Sequence, residues 1–430
     1  MISISRRTIK SIKLSLKPLS ASSRNVLKLV KGSAGSQIFS VAAIPLLTRL
    51  YSPENFGIVA VLSSILSVLN VVSSLRYELA ISVPEDEDDA IALVWLCFVL
   101  VLISTLLTAL LVLLLGDYLV SWLNEPEIKS LLWLLPLGVL LTGIYSPLSY
   151  WAIRCKQFDL LARTKFRQGI FGVATNLAAF PMGVIGLLFG QIVSQSAGSL
   201  SILRNSEDLW KWSNISPSLL FQTLKKYSHF GIYSSPAGLI NTFGNKLPIL
   251  IIASTFQSSQ VGLLALSQRL LLLPAGLIGN AVGKVFLSEA TQHNHSNTLY
   301  PLIIKVSRKL LSLGIALSII YCLVLVPLIP IIFGQKWSSA SALIPLLIPL
   351  FLGTIVVKPL SMGFIASGNV KTHLLAQIII VTLKVLPVYF LAHSIGFDGS
   401  IALFSFCSMV GYLVVYVFLL KSTAMIQLED

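Results

Sequence analysis

Long apolar runs, interrupted at intervals by short polar segments, dominate the pattern along this chain. A membrane-spanning helix needs about 20 predominantly apolar residues, and windows of about 19 residues locate twelve such runs. They lie near 32–50, 57–75, 90–115, 131–153, 168–182, 184–203, 229–253, 261–283, 310–333, 339–365, 372–392 and 397–420. The pattern predicts an all-α, polytopic membrane protein with about twelve transmembrane helices. The least distinct boundary separates the fifth and sixth spans, where Pro181 and Gly183 offer the best break.

Composition agrees with a membrane protein and argues against a soluble one. Of the 430 residues, 55% are hydrophobic and only 11% are charged, whereas about 25% are charged in an ordinary soluble domain. The net charge of +14 is compatible with nucleic acid, anionic lipid or membrane topology as its cause. The positions of the charges distinguish these causes.

The 31 Lys and Arg residues lie almost entirely on one side of the predicted membrane. Alternating the sides of successive loops places 24 of them on one side and only Lys129 and Lys336 on the other, with five inside spans. Because Lys and Arg are retained in cytoplasmic loops, the basic side is predicted to be cytoplasmic, with both termini there. Topology accounts for the charge, so we expect membrane lipids and no nucleic acid as partners.

The two halves of the chain resemble each other. Phe56–Val61, at the start of the second span, aligns with Val261–Leu266 at the start of the eighth, an offset of 205 residues. Six spans per half give both halves the same sense in the membrane, an arrangement that transporters use to hold substrate between two lobes. The sequence therefore predicts a basic cytoplasmic tail (1–31), two parallel six-helix lobes (32–203 and 229–421) and a cytoplasmic linker (204–228).

Five basic residues lie within or at the ends of predicted spans, where a charge costs about 2.5–3.5 kcal/mol on insertion scales. They are Arg49, Lys246, Arg269, Lys358 and Lys384. No acidic residue accompanies them in the hydrocarbon region, since Asp398, at the start of the twelfth run, is assigned to an outer loop. Each either extends its side chain to the membrane surface or faces a cavity, and Lys384, near the middle of its span, fits the second explanation better. Asn241 and Asn245, one turn apart, favour a polar cavity that suits an anion with hydroxyl groups.

No motif in the sequence indicates a cofactor or a catalytic centre. The four cysteines are far apart, the five histidines show no metal-ligand spacing, and we interpret the histidines as solvated loop residues. Neither a phosphate-binding loop nor a nucleophile motif is present. We therefore expect no cofactor, no metal and no enzymatic activity.

Three short blocks resemble the oligosaccharide flippases of bacterial polysaccharide biosynthesis, which belong to the superfamily that also contains multidrug extruders. They are LTRLYSPENFG at Leu47–Gly57, LRYELA at Leu75–Ala80 and ALSQRL at Ala265–Leu270. The resemblance implies a twelve-helix, two-lobed protein of the bacterial inner membrane that moves undecaprenyl-diphosphate-linked oligosaccharide, for O-antigen or another surface polysaccharide, by alternating access. It also implies that Arg49 and Arg269 face the substrate, and it leaves room for partners among other polysaccharide assembly proteins.

Two other function classes remain open at this point. A multidrug extruder of the same superfamily, or another lipid exporter, would share the fold, although transport of cationic drugs calls for carboxylates in the membrane. A membrane-embedded polysaccharide enzyme would need positioned acid and base residues, commonly in a sizeable loop, whereas the longest outer loop here spans about 116–130.

Overall fold

The computed structural model describes residues 21–211, 216–294, 299–367 and 369–429, and all regular structure within these ranges is helical. The first half contains α1 (Ala21–Ala42), α2 (Ile44–Leu50), α3 (Pro53–Val72), α4 (Glu87–Leu123), α5 (Ile128–Leu131), α6 (Leu134–Arg154), α7 (Phe158–Ala178), α8 (Val184–Ser196) and α9 (Ser199–Arg204). After α10 (Asp208–Lys211) and α11 (Pro217–Lys226), the second half contains α12 (Ser235–Thr255), α13 (Ser258–Asn294), α14 (Leu299–Ile320), α15 (Val326–Phe333), α16 (Ala340–Leu360), α17 (Gly363–Ala366) and α18 (Val370–Glu429). Short 3₁₀ or π segments lie at Tyr77–Ser82, Phe180–Met182, Phe230–Ser234, Tyr321–Leu325 and Gln335–Trp337. The all-α prediction is confirmed.

Within the described residues, eight helical stretches are long and apolar enough to cross a membrane. The last of them, within α18, is two helices, because Gly396 has a non-helical backbone with φ of 72°. Three more polar helical segments, α1 with α2, α7, and α12, complete the predicted twelve. These three are less apolar than the eight stretches, because each has polar or charged side chains along its length.

The fifth span was placed too late by the sequence. The prediction of 168–182 is corrected to Phe158–Ala178, so the basic residues at 163–167 lie on a helix and not in a loop. Part of their polarity is satisfied inside the lobe, since Lys165 donates to Gln168 at 3.2 Å and lies 4.8 Å from the centre of the Tyr145 ring. The predicted break before the sixth span is confirmed, with Gly183 at φ of 57°.

The linker predicted at 204–228 contains two short helices, α10 and α11, and residues 212–215 of it lie outside the described residues. Helix α11 is attached to the first lobe by two contacts. Lys226 donates to Asp89, which raises the pKa of the Lys226 ammonium, and Tyr77 donates to the Leu224 carbonyl at 2.9 Å. The linker is thus attached to the first lobe near the start of α4. This end of the bundle carries most of the Lys and Arg residues, and we call it the basic end.

The apolar core shows how the two lobes meet. One buried cluster crosses both lobes in the half of the bundle away from the basic end, which we call the outer end; it includes Leu62, Ile252, Leu264 and Phe351. Toward the basic end the buried residues form two separate clusters, one in each lobe. The lobes are therefore packed together at the outer end and separated at the basic end.

Two glycines allow the close approach at the outer end. A Cβ atom on Gly57 of α3 would lie 1.8 Å from the Ser258 carbonyl oxygen, and one on Gly262 of α13 would lie 1.8 Å from the Pro53 carbonyl oxygen. The two positions are those that the internal repeat pairs at an offset of 205. A reciprocal contact of this kind is what an approximate two-fold axis between the lobes produces.

Hydrogen bonds reinforce this crossing. The indole N–H of Trp337, from the second lobe, donates to the Thr48 carbonyl at 2.9 Å, and its ring lies edge-on to Phe56 at 4.9 Å. The Ser258 backbone N–H donates to the Glu125 carboxylate at 3.2 Å. Together with the glycine contact, these bonds close the outer end of the bundle.

Replacing Gly57 with Ala should weaken this closure, because the added methyl group meets backbone and not a movable side chain. We expect a loss of about 1–3 kcal/mol, typical of overpacking, seen as a lower midpoint of thermal unfolding in detergent. Gly276→Ala, on the same helix as Gly262 but with nothing within 4 Å of its Cβ, is the control. Equal midpoints for the two variants would contradict the glycine contact.

The orientation can be tested with a native thiol. Cys155 is exposed at the basic end. The pKa of its thiol is raised, mainly because part of the side chain is buried and also because Glu87 and Asp208 are negatively charged. In intact cells an impermeant maleimide should leave Cys155 unmodified and label a Gln257→Cys variant. In opened membranes Cys155 should react, and faster at higher pH because the thiolate is the nucleophile. Labelling of Cys155 in intact cells would show that the predicted orientation is wrong.

Candidate functional site

A cavity of about 700 Å³ lies between the lobes in the half nearer the basic end. Its walls come mainly from α12, α13, α16 and α18, and Arg76 and Leu79 of the first lobe complete it. The lining runs from Asn245 and Lys384, within their helices, to residues close to the basic helix ends, including Lys358 and Ser361. Since the outer end is closed, the cavity opens toward the basic end.

Four cationic side chains line this cavity. Sequence analysis predicted Lys358 and Lys384, and the structure adds Arg76 and Lys284. Among the described residues no carboxylate lines the cavity. Positive charges that share a region of low dielectric repel one another, so the arrangement favours an anionic occupant.

Lys384 is the most buried of the four, with only 5% of its surface exposed. Its ammonium lies 4.6 Å from the centre of the Tyr412 ring and 3.4 Å from the Tyr412 hydroxyl oxygen. A cation over an aromatic face gains about 2 kcal/mol or more when desolvated. The ring therefore makes burial of the charge tolerable without neutralising it.

Arg76 reaches the cavity through an unusual turn at the end of α3. Leu75 and Arg76 both have left-handed backbone, with φ of 48° and 61°, which is uncommon for residues other than glycine. Glu78, 4% exposed, lies 3.6 Å from an Arg76 guanidinium nitrogen and accepts a hydrogen bond from Ser74. The Arg76 Nε is buried without a hydrogen-bond partner. The turn thus aims a partly paired guanidinium at the space between the lobes.

Amide side chains supply the neutral part of the lining. The predicted Asn241 and Asn245 both line the cavity, where the Asn245 amide donates to the Asn241 carbonyl at 2.8 Å. Asn280 and Gln377 join them, and Gln377 lies 3.2 Å from the ring nitrogen of His373. Groups that both donate and accept are suited to hydroxyl-rich ligands.

Arg269 lies in a different place from these residues. It extends from α13 into a small pocket of about 80 Å³ in the first lobe, lined by polar residues that include Ser40, Asn176 and Gln191. It forms no hydrogen bond or ion pair within the described part of the chain, and the Asn176 side-chain oxygen is also buried without a partner. The pocket has room for about two waters, and Arg269 does not line the large cavity.

The other two predicted residues also lie outside the cavity. Lys246 is half-buried on α12 and is absent from the cavity lining. Arg49 belongs to the closed outer end, where its guanidinium donates to the Ile331 carbonyl at 2.7 Å and so connects the lobes. The structure brings together Lys358, Lys384, Asn241 and Asn245, and it separates Arg49, Lys246 and Arg269 from them.

The sequence analysis singled out neither three charged or titratable residues of the cavity nor its amides Asn280 and Gln377. Arg76 and Lys284 were counted as loop cations, although α13 continues to Asn294 and carries Lys284. His373, interpreted as a solvated loop residue, is helical, stacks 5.2 Å from Phe364 and lines the cavity. The one signal for Arg76 was its position as the sole basic residue of its connection, within the block Leu75–Ala80.

Comparison with known proteins agrees with this architecture. Residues 46–342 match the sequence profile of the family described as "Polysaccharide biosynthesis protein". No curated protein sequence matches the chain.

Solved structures show the fold. The chain is similar to the lipid II flippase MurJ in its inward closed conformation, with 15% identity, coverage of 92% of this chain and 89% of that chain, and a TM-score of 0.73. An inward-facing multidrug resistance MATE family transporter of the MOP superfamily has 16% identity, coverage of 93% and 95%, and a TM-score of 0.63. An outward-facing MATE transporter has 15% identity, coverage of 93% and 94%, and a TM-score of 0.52.

Proposed function

Because the chain belongs to the polysaccharide biosynthesis protein family, we propose that it is a flippase for oligosaccharide units carried on undecaprenyl diphosphate. It moves them across the bacterial inner membrane, for O-antigen or another surface polysaccharide, by alternating access. The observation that carries the proposal is the cavity between the lobes, which is closed at one end and is lined by four cations and, among the described residues, by no carboxylate.

The diphosphate binds at the cationic wall. Lys384 and Arg76 are the least exposed of its cations, and charge-assisted hydrogen bonds from ammonium and guanidinium groups are about twice as strong as neutral ones. Lys358 and Lys284, closer to the basic end, meet the anion first. The polyprenyl tail stays in the bilayer, since burying it in a polar cavity would lose its apolar environment.

The sugars bind the amide wall formed by Asn241, Asn245, Asn280 and Gln377. A volume of about 700 Å³ lies within the roughly 300–1,000 Å³ typical of small-ligand sites, which suits a diphosphate with a few sugars. Asparagine and glutamine tolerate different hydroxyl patterns because each offers both donors and acceptors. The amide wall therefore selects for hydroxyl groups and not for one particular sugar.

Substrate binding drives the change of access. The empty cavity is destabilised by repulsion among its cations, and an anion between the lobes removes that repulsion when the basic ends approach. Closure at the basic end then permits the outer contact at Gly57 and Gly262 to open. Arg49, which holds Ile331 across the outer end, acts in this scheme as part of the outer closure.

A multidrug extruder with the same fold is the second candidate. Transport of cationic drugs requires acidic groups in the binding region, and the described lining of the cavity offers cations and amides instead. The charge of the cavity favours the anionic, hydroxyl-rich cargo.

Transport of a fluorescent undecaprenyl-diphosphate oligosaccharide in proteoliposomes tests the proposal. Lys384→Ala should slow translocation about 30-fold or more, by analogy with loss of one partner of a buried charged contact, and Lys384→Glu should be slower still because it repels the diphosphate. Lys129→Ala is the control, since Lys129 is exposed at the outer end and pairs with Asp117. Wild-type rates for both Lys384 variants, in protein that folds normally, would overturn the proposed role of the cations.

A further inference from the structure

A second groove of about 370 Å³ lies on the opposite side of Tyr412 and Val357 from the central cavity, because both residues line both spaces. It runs between α14, α16 and α18 and is lined mostly by apolar side chains, among them Leu311, Leu352 and Leu413. Leu311 and Leu413 are 44% and 51% exposed. In a membrane protein such exposure at a spanning helix places the groove in contact with lipid.

One end of the groove is polar and basic. Arg308 of α14 lines it there, beside Ser307 and Tyr416, whose hydroxyl oxygens are 2.9 Å apart. Arg308 is exposed and forms no hydrogen bond or ion pair within the described ranges, and Lys305 and Lys309 neighbour it on the same helix. These residues lie at the start of the predicted ninth span, the depth of the lipid headgroups, and the apolar lining continues from them toward the membrane interior.

We propose that this groove binds one anionic phospholipid of the leaflet at the basic end. Its phosphate accepts hydrogen bonds from Arg308, with the Ser307 and Tyr416 hydroxyls within the same polar end, and one acyl chain lies along Leu311, Leu352 and Leu413. Basic pockets between transmembrane helices at this depth are suited to anionic headgroups. Charge complementarity therefore selects a phospholipid with a net negative headgroup over a zwitterionic one.

The proposal does not depend on the transported substrate, but it has a consequence for the cavity. The Tyr412 ring that supports Lys384 packs closely against α16, where a Cβ on Gly353 would lie 2.6 Å from the ring. A chain in the groove adds contacts to the outer side of this packing. The bound phospholipid thus stabilises the wall that separates the cavity from the bilayer.

The full-length purified protein in detergent allows a direct test. Phosphatidylglycerol and phosphatidylcholine with identical acyl chains are titrated in turn, and the midpoint of thermal unfolding and the lipid retained in native mass spectrometry are measured. Arg308→Ala should weaken phosphatidylglycerol binding roughly tenfold, the effect of losing one charged hydrogen bond. Lys309→Ala removes the same charge from the next position, outside the groove lining, and should leave binding unchanged. Leu413→Trp, which fills the groove, should abolish retention of both lipids.

Preferential stabilisation by phosphatidylglycerol, lost in Arg308→Ala and kept in Lys309→Ala, supports the site. Equal effects of the two lipids, or equal losses in the two charge variants, would overturn it, because only general attraction to basic residues would remain. Undecaprenyl phosphate is the third probe. If it stabilised the protein more than phosphatidylglycerol did, and through Arg308 and Leu413, the occupant would be the carrier tail and the phospholipid assignment would be wrong.

Discussion

The backbone contact between α3 and α13 is the constraint on which the rest of this structure depends. With no side chain at Gly57 or Gly262, each helix approaches the carbonyl groups of the other so closely that a methyl group would not fit. This contact holds the lobes together at the outer end, and the shared apolar core extends from it. Because the lobes meet there and separate toward the basic end, the space between them becomes a cavity accessible from one side.

The second physical theme is positive charge that is only partly compensated by its surroundings. Lys384 relies on the Tyr412 ring, Arg76 on one glutamate, and Arg269 on a polar pocket in the other lobe. None of these arrangements fully compensates a cation held away from bulk water, where isolated charges are costly. This loss of stability is what we expect of a protein whose cations are neutralised by a transient anionic ligand. Neutralisation of the cations by the ligand is the core of the proposed flippase mechanism.

Particular residues show how much of the structure could be predicted from the sequence. Apolar runs and the distribution of Lys and Arg were sufficient for the twelve-helix architecture, and the position of Lys384 in the middle of a span was sufficient to place it in a cavity. Hydropathy misplaced α7, because Lys165 and its polar neighbours are satisfied inside the lobe and so do not mark a loop. Arg76 was missed because its direction depends on two left-handed residues. The contact of Arg49 with Ile331 could not be predicted either, because the two residues are 282 positions apart and leave no local pattern.

The central claim is that the outer contact opens during transport, and a distance across the outer end tests it most directly. Spin labels at Lys129 and Lys336, one in each lobe and both exposed, report the separation by pulsed electron resonance in liposomes. The account predicts a single short distance without substrate and a second, longer distance once lipid-linked oligosaccharide is added. The fraction of molecules with the longer distance should be smaller in Lys384→Ala. An unchanged single distance while the same liposomes transport substrate would contradict alternating access by separation of the lobes.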